Sequence, residues 1–276
     1  MYVQGIQTTN NINLYYRKNT SSITFCQTSC QVTKPQYIEL VNKYLKAFSV
    51  EAEHYKKEGN SILQPSVIPL AILQNIAQNE IGKMQKFPAE HKLLIVTGRI
   101  GGGKTTFVRQ NNLEELFYAP DADEIKPQLP QYNERGAGYV HDASWTINIT
   151  NLNEALKRGI NTIVQTATTI DNLDNIIDEA RDHKYNDIVL IHIDTDEDIA
   201  IKRALERGKT TGRTVDPNVI KERTYIDKIV QAFENPNRGL SQIFVYNNNG
   251  NSPVQVKNIN LNSWPQILTY VTESDD

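Results

Sequence analysis

Gly98-Arg99-Ile100-Gly101-Gly102-Gly103-Lys104-Thr105 follows directly on the run Leu93-Leu94-Ile95-Val96-Thr97. That run is continuously apolar and rich in β-branched residues, the character of a strand buried on both faces. Glycines at these positions let backbone N–H groups close around a triphosphate. Lys104 then reaches the β and γ oxygens, and the Thr105 hydroxyl joins a magnesium shell. A strand turning into a phosphate-binding helix commits the chain to an α/β fold with ATP and Mg2+ as cofactors. The cofactor-binding set is Gly98, Arg99, Ile100, Gly101, Gly102, Gly103, Lys104, Thr105 and Thr106, with Thr105 as the metal contact.

Beyond this P-loop the sequence alternates strand and helix. Leu116-Phe117-Tyr118 reads as a short strand, followed by an amphipathic helix from Ile147 to Arg158 closed by Gly159 and a strand at Thr162-Ile163-Val164. A helix from Asn172 to Lys184 precedes the strongly apolar strand Asp187 to Ile193. Thr195 is expected to cap a helix through Ala204, and Asp216-Pro217 opens a further one. Gln242 to Tyr246 is the last strand, stopped by Asn247-Asn248-Asn249-Gly250. The expected architecture is an α/β three-layer sandwich around a mostly parallel five-stranded sheet, with ligands at the carboxyl ends of the strands.

Ahead of this core, residues 35–90 predict a helical subdomain. Ile38, Val41, Leu45 and Phe48 form one face, and a second helix follows Ser66, with Pro69 in its first turn and Leu70, Leu73, Ile76 and Ile81 inward. Residues 1–34 are rich in Thr, Ser, Asn and Gln and read as a poorly ordered tail or a polar export signal, while residues 91–276 form the nucleotide-binding unit. Cys26 and Cys30 lack further ligands for zinc and read as free thiols of a reducing compartment. A net charge of −3 argues against nucleic acid as the principal partner, and no apolar run reaches membrane-spanning length, so a cytoplasmic location is expected.

A P-loop holds a phosphoryl donor but does not choose the acceptor. Asp121 and Asp123, at the end of the Leu116–Tyr118 segment, alternate so that one supports structure and the other faces the γ-phosphate, where a carboxylate can orient or deprotonate a hydroxyl. Both also suit a helix start. Arg203 and Arg207 share a helical face, and with Arg213 they flank the stretch Gly208 to Gly212, which reads as a polar lid over the nucleotide.

These residues together resemble the zeta-toxin family of P-loop kinases. The resemblance runs from Leu93 to about Asn247. It rests on Gly98 to Thr106, on Asp121-Ala122-Asp123 with Lys126 and Leu129-Pro130-Gln131-Tyr132, on His141-Asp142-Ala143-Ser144, on Leu156 to Asn161, and on the lid arginines. It implies an ATP-dependent phosphotransferase acting on a sugar hydroxyl of a nucleotide sugar such as UDP-N-acetylglucosamine, or on the adenosine ribose of a dinucleotide such as NAD. It further implies a toxin or effector role, with a neutralising antitoxin or chaperone as partner and, for a secreted effector, action in a host cytoplasm. Under it Asp123 is the base, Lys104, Arg203, Arg207 and Arg213 stabilise the moving phosphoryl group, and Asp121, Lys126, His141, Ser144, Gln165 and Thr166 belong to the acceptor side. Where the family carries an acid followed by Thr, this chain reads Gln165-Thr166-Ala167-Thr168. An amide hydrogen-bonds a sugar or a metal-bound water but adds no negative charge. Two other readings stay open: a polynucleotide kinase, which needs a basic groove, and a nucleotide-gated interaction protein whose Asp194, Asp196 and Glu197 imitate the acidic motif of motor ATPases.

Overall fold

Residues 34–51, 63, 65–211 and 215–261 are described by the structure, a computed structural model. Helices α1 (Lys34–Glu51) and α2 (Leu70–Met84) precede strand β1 (Lys92–Gly98). The chain continues through α3 (Lys104–Gln110), the short α4 (Ala122–Ile125) and α5 (Tyr132–Arg135), and the long α6 (His141–Lys157) to β2 (Thr162–Thr166). Helix α7 (Ile170–Asp182) leads to β3 (Asp187–Asp194). Helices α8 (Glu197–Thr211), α9 (Pro217–Lys221) and α10 (Ile229–Phe233) lead to β4 (Gln242–Asn247), which is followed by β5 (Val254–Asn260).

The sheet has the order β2-β1-β3-β4-β5, parallel throughout except for the antiparallel β4–β5 pair. Period-two alternation divides the strands between two cores. Leu93, Ile95, Val164, Leu190 and Ile243 face α6, α7 and α10, whereas Leu94, Val96, Ile163, Ile191 and Phe244 face Phe107 and Val108 of α3. The sandwich therefore has its expected three layers. Strand membership differs, however. The stretch at Leu116–Tyr118 contributes a single parallel bridge from Tyr118 to Thr162, because Leu113–Glu115 coils as a helical turn immediately before it. The fifth strand is instead β5, whose Val254 and Val256 are exposed, so no buried apolar face announced it.

Helices α1 and α2 share one core with Tyr118, Ile125, Leu129 and the outward face of α6. On α1 the buried positions are Leu40, Val41, Tyr44 and Phe48, while Ile38 and Leu45 are exposed. The inward face is rotated from the expected one because Tyr44 buries its ring and donates its hydroxyl to Asn151 Oδ1 at 2.5 Å. Glu154, also buried on α6, accepts from Lys43 of α1 and from Arg158 Nε. Glu80 of α2 accepts from the Tyr118 hydroxyl at 2.5 Å, next to the segment that leads to Asp121. These polar contacts fix α1 and α2 against α6 and the segment that precedes Asp121. Pro69 stands one residue before α2, at its cap, and Leu70 is exposed. Helix α6 begins at His141, earlier than the Ile147 the sequence indicated, and α7 runs from Ile170 to Asp182 behind a Thr169 cap. The tail at residues 1–33, with both cysteines, and residues 212–214, with Arg213, lie outside the described residues. Among the described residues no helix is long and apolar enough to cross a membrane.

Tyr44→Phe removes the donor to Asn151, whose Nδ2 is already buried without a partner. The expected loss is about 1–3 kcal/mol in urea unfolding at unchanged m. A loss below about 0.5 kcal/mol would mean that the contact does not tie α1 to α6.

Candidate active site

The P-loop occupies the carboxyl end of β1. Gly98, Gly101 and Gly103 take φ of 144°, 82° and 93°, and Gly101 lies where a Cβ would come within 2.1 Å of Ala200 O. Only glycine meets both demands. The loop is held open by two buried side chains from neighbouring strand ends. Thr195, just after β3, donates its hydroxyl to Gly102 O at 3.0 Å, and Asn248, just after β4, donates Nδ2 to the same oxygen at 2.7 Å. With that carbonyl turned outward and bonded, the loop offers N–H groups to an anion. Thr195 therefore acts on the loop, and α8 starts at Glu197 after it.

Lys104 Nζ donates to Gly98 O and Arg99 O, each at 2.9 Å. Burial, followed by the positive charges of Arg223 and Arg207, pulls its pKa from the usual lysine range to about 7. A cation so destabilised is primed for an anion. Thr105 and Thr106 are exposed in the first turn of α3. Ile100 packs on Ala200, Ala204 and Ile220, joining the loop to α8 and α9. Arg99 turns away from the loop's mouth: it is buried and pairs with Asp227 at 2.5 Å. Behind β1, His192 contacts the Thr97 hydroxyl at 2.9 Å, and burial together with Lys104 and Arg99 pushes its pKa down to about 4. That neutral ring adds no charge beneath the loop.

Asp121 and Asp123 do not sit on an extended segment. Asp121 caps α4, accepting from Asp123 N at 2.8 Å, and Asp123 lies in the first turn with its carboxylate 2.8 Å from Lys126 Nζ. The local preference of Asp for a helix start wins over strand alternation here. Burial lowers the Lys126 pKa, against the pull of Asp121. His141, exposed at the start of α6, is lowered by desolvation and then by Lys126 and Arg223. Ser144 is fully buried and donates to His141 O at 2.7 Å, so its hydroxyl serves the helix. Gln165 and Thr166 stand at the end of β2, beside Val96 and Thr97 of β1.

The arginines divide. Arg203 donates to Asn248 O at 2.8 Å and to Gly250 O at 2.9 Å, so it braces the turn that carries Asn248. Arg207 acts on Lys104 through charge. The described part of the expected lid is helical, because α8 continues through Gly208 to Thr211, with Thr210 Oγ1 donating to Arg207 O at 3.0 Å. Arg223 was not singled out from the sequence. It donates to Ala167 O beyond β2, and its charge bears on both Lys104 and His141. A single cation thus acts on both the P-loop lysine and His141. No local pattern marks it, since its partners come from three other segments.

A model of the zeta-toxin family matches residues 78–258, which span the P-loop, Asp123, the α8 arginines and Arg223. The chain belongs to the zeta-toxin family. Among solved structures, the chain is similar in fold to the AvrRxo1-ORF1:-ORF2 complex in its native form, with a TM-score of 0.51 and 12% identity over 82% of this chain and 66% of that one. The same complex with ATP gives 0.50 and 13%, over 82% and 67%. A toxin–antitoxin system of Streptococcus pneumoniae, PezAT, gives 0.49 and 15%, over 82% and 81%. At such identities the AvrRxo1 likeness establishes the fold, and this chain spans about two thirds of that neighbour's length. No curated protein matches the sequence.

The depressed pKa of Lys104 has a measurable consequence. A triphosphate beside it restores the charged form, so at about pH 8 binding takes up nearly one proton; uptake fades as pH falls through 7, where the amine is already charged. Calorimetric titration with ATP in two buffers of different ionisation enthalpy is expected to give different heats at pH 8. Equal heats there would show that Lys104 is fully protonated before binding.

Proposed function

We propose that this chain is an ATP-dependent kinase that phosphorylates a sugar hydroxyl of a nucleotide sugar or dinucleotide. The observation that carries the reading is the run of electrostatically coupled groups from Lys104 through Arg223 to His141, which is held toward its neutral form, and to Lys126, ending at the Asp123 carboxylate. Such a path suits a reaction in which negative charge spreads over a transferring phosphoryl group and the acceptor brings phosphates of its own. Membership of a family named for a toxin, and a fold shared with a complex determined with ATP, support the same reading.

In this scheme the N–H groups of Gly101 to Thr105 and the Lys104 ammonium hold the β and γ oxygens. Arg207 and Arg223 oppose the charge that develops as the β–γ bridging bond breaks. Asp123, oriented by Lys126, accepts the proton of the acceptor hydroxyl while that oxygen bonds to the γ-phosphorus and ADP leaves. Arg203 works through Asn248, keeping Gly102 O bonded and the loop open. Magnesium neutralises phosphate charge when bound. The hard oxygen of Thr105 fits it, and among the described residues no group of three or more His, Cys, Asp or Glu side chains forms a cage. A neutralising protein partner is proposed too, on the strength of the family and of the two-protein AvrRxo1 complex.

The test is transfer of label from ATP to UDP-N-acetylglucosamine and to NAD. Lys104→Ala, Asp123→Ala and Arg223→Ala are each expected to lower turnover by about 10²-fold or more with near-native circular dichroism. Wild-type turnover in Asp123→Ala or Lys104→Ala would overturn the assignment.

A further inference from the structure

Arg99 stands inside the phosphate-binding loop, yet its charge is turned to the protein. Its side chain is 8% exposed, and Nη2 donates to Asp227 Oδ2 at 2.5 Å. The other terminal nitrogen, Nη1, is buried without a hydrogen bond and lies 3.8 Å from Glu197 Oε2. Asp227 is thus the hydrogen-bonded partner of this guanidinium among the described residues. A buried ion pair is a weak source of stability, because desolvating the charges offsets their attraction; what such a pair can supply is a fixed geometry.

The geometry fixed here concerns Arg223. Asp227 belongs to the helical turn Thr224–Lys228, which Arg223 opens, and the Ile226 N–H donates to Arg223 O at 3.2 Å. Ile226 buries the turn on the core through an apolar contact, which has no preferred direction. Directional contacts reach the turn from two sides. Beyond β2, Ala167 O accepts from the Tyr225 hydroxyl at 3.0 Å and from Arg223 Nη1. At the end of β1, Asp227 is tied to Arg99, whose own carbonyl oxygen accepts from Lys104 Nζ at 2.9 Å. One residue of the loop and one helical turn therefore join the Lys104 ammonium to the Arg223 guanidinium.

We propose that Asp227 is a positioning residue: by pairing with Arg99 it holds the turn that begins at Arg223 in register with the P-loop, so that Lys104 and Arg223 address one phosphoryl group. This rests on the kinase reading for what Arg223 does, and on the Arg99–Asp227 contact for how it is held. Arg99 then serves the nucleotide without touching it. Its cost of burial is the cost of orienting a second cation that does.

The experiment compares the full chain in four forms: wild type, Asp227→Asn, Arg223→Ala and the double variant. Calorimetry gives the preference for a non-hydrolysable ATP analogue over ADP, each with magnesium, and label transfer from ATP gives turnover. Asn keeps the shape of Asp227, whose side chain is 54% exposed, so the fold is expected to survive. Asp227→Asn is expected to lower the preference about threefold or more and turnover about tenfold or more, in the same direction as Arg223→Ala, and to add less than about twofold to either loss once Arg223 is alanine. Removing a negative charge would by itself favour the phosphates, so the expected fall has the opposite sign to a direct charge effect. Asp227→Glu, which restores a carboxylate, should recover most of both quantities. Losses that multiply in the double variant, wild-type values in Asp227→Asn, or wild-type values in Arg223→Ala overturn the inference. The first two leave the kinase reading intact. The expected pattern in nucleotide preference, with no transfer to any acceptor by the wild type, overturns the kinase reading and leaves the positioning role in place.

Discussion

The carbonyl oxygen of Gly102 accepts hydrogen bonds from Thr195 and from Asn248, two buried side chains that follow different strands. Because β1, β3 and β4 lie side by side in parallel, their carboxyl ends deliver the P-loop, Thr195 and Asn248 to one place. The sheet order is therefore what makes a phosphate cradle of a glycine-rich turn. Without these donors the loop would present a carbonyl dipole of the wrong sign toward an anion. Arg203 belongs to the same device at one remove, since it clamps the backbone around Asn248.

A second constraint is the cost of assembling positive charge in a partly buried crevice. Burial, with repulsion from Arg223 and Arg207, brings the Lys104 pKa down to about 7. An anion placed beside Lys104 would relieve that destabilisation, which is the preference for phosphate that the proposed site requires. On the far side, burial, followed by Lys126 and Arg223, depresses His141, and the carboxylate of Asp123 pairs with Lys126 directly. The N-terminal helices enter this arrangement through mechanics: Tyr44, Glu80 and Glu154 bind α1 and α2 to α6 and to Tyr118, the elements from which Asp121 and His141 project.

The strand and phosphate loop were legible because every demand on them is local: a buried run, glycines where φ is positive, a lysine and a hydroxyl at fixed offsets. The parallel sheet followed from the alternation of elements. What escaped is what tertiary contact decides. Tyr118 makes one bridge in place of a strand because the preceding residues coil, and β5 hides because its valines face solvent. Tyr44 rotates the face of α1 through its hydroxyl, which apolar periodicity does not weigh. Thr195 has the composition of a cap, yet its hydroxyl is spent on Gly102. Arg223 left no local mark, because Lys104, His141 and Ala167 reach it from distant parts of the chain.

The proposed transfer requires one crevice to hold the donor phosphate beside Lys104 and Arg223 and to leave it open to the Asp123 carboxylate. A crystal structure with a non-hydrolysable ATP analogue and magnesium tests it most directly. The γ-phosphate should lie between Lys104 Nζ and the Arg223 guanidinium, with Lys104 released from Gly98 O and Arg99 O and open space between that phosphate and Asp123. A γ-phosphate directed away from Arg223, or separated from Asp123 by packed side chains, would contradict the account.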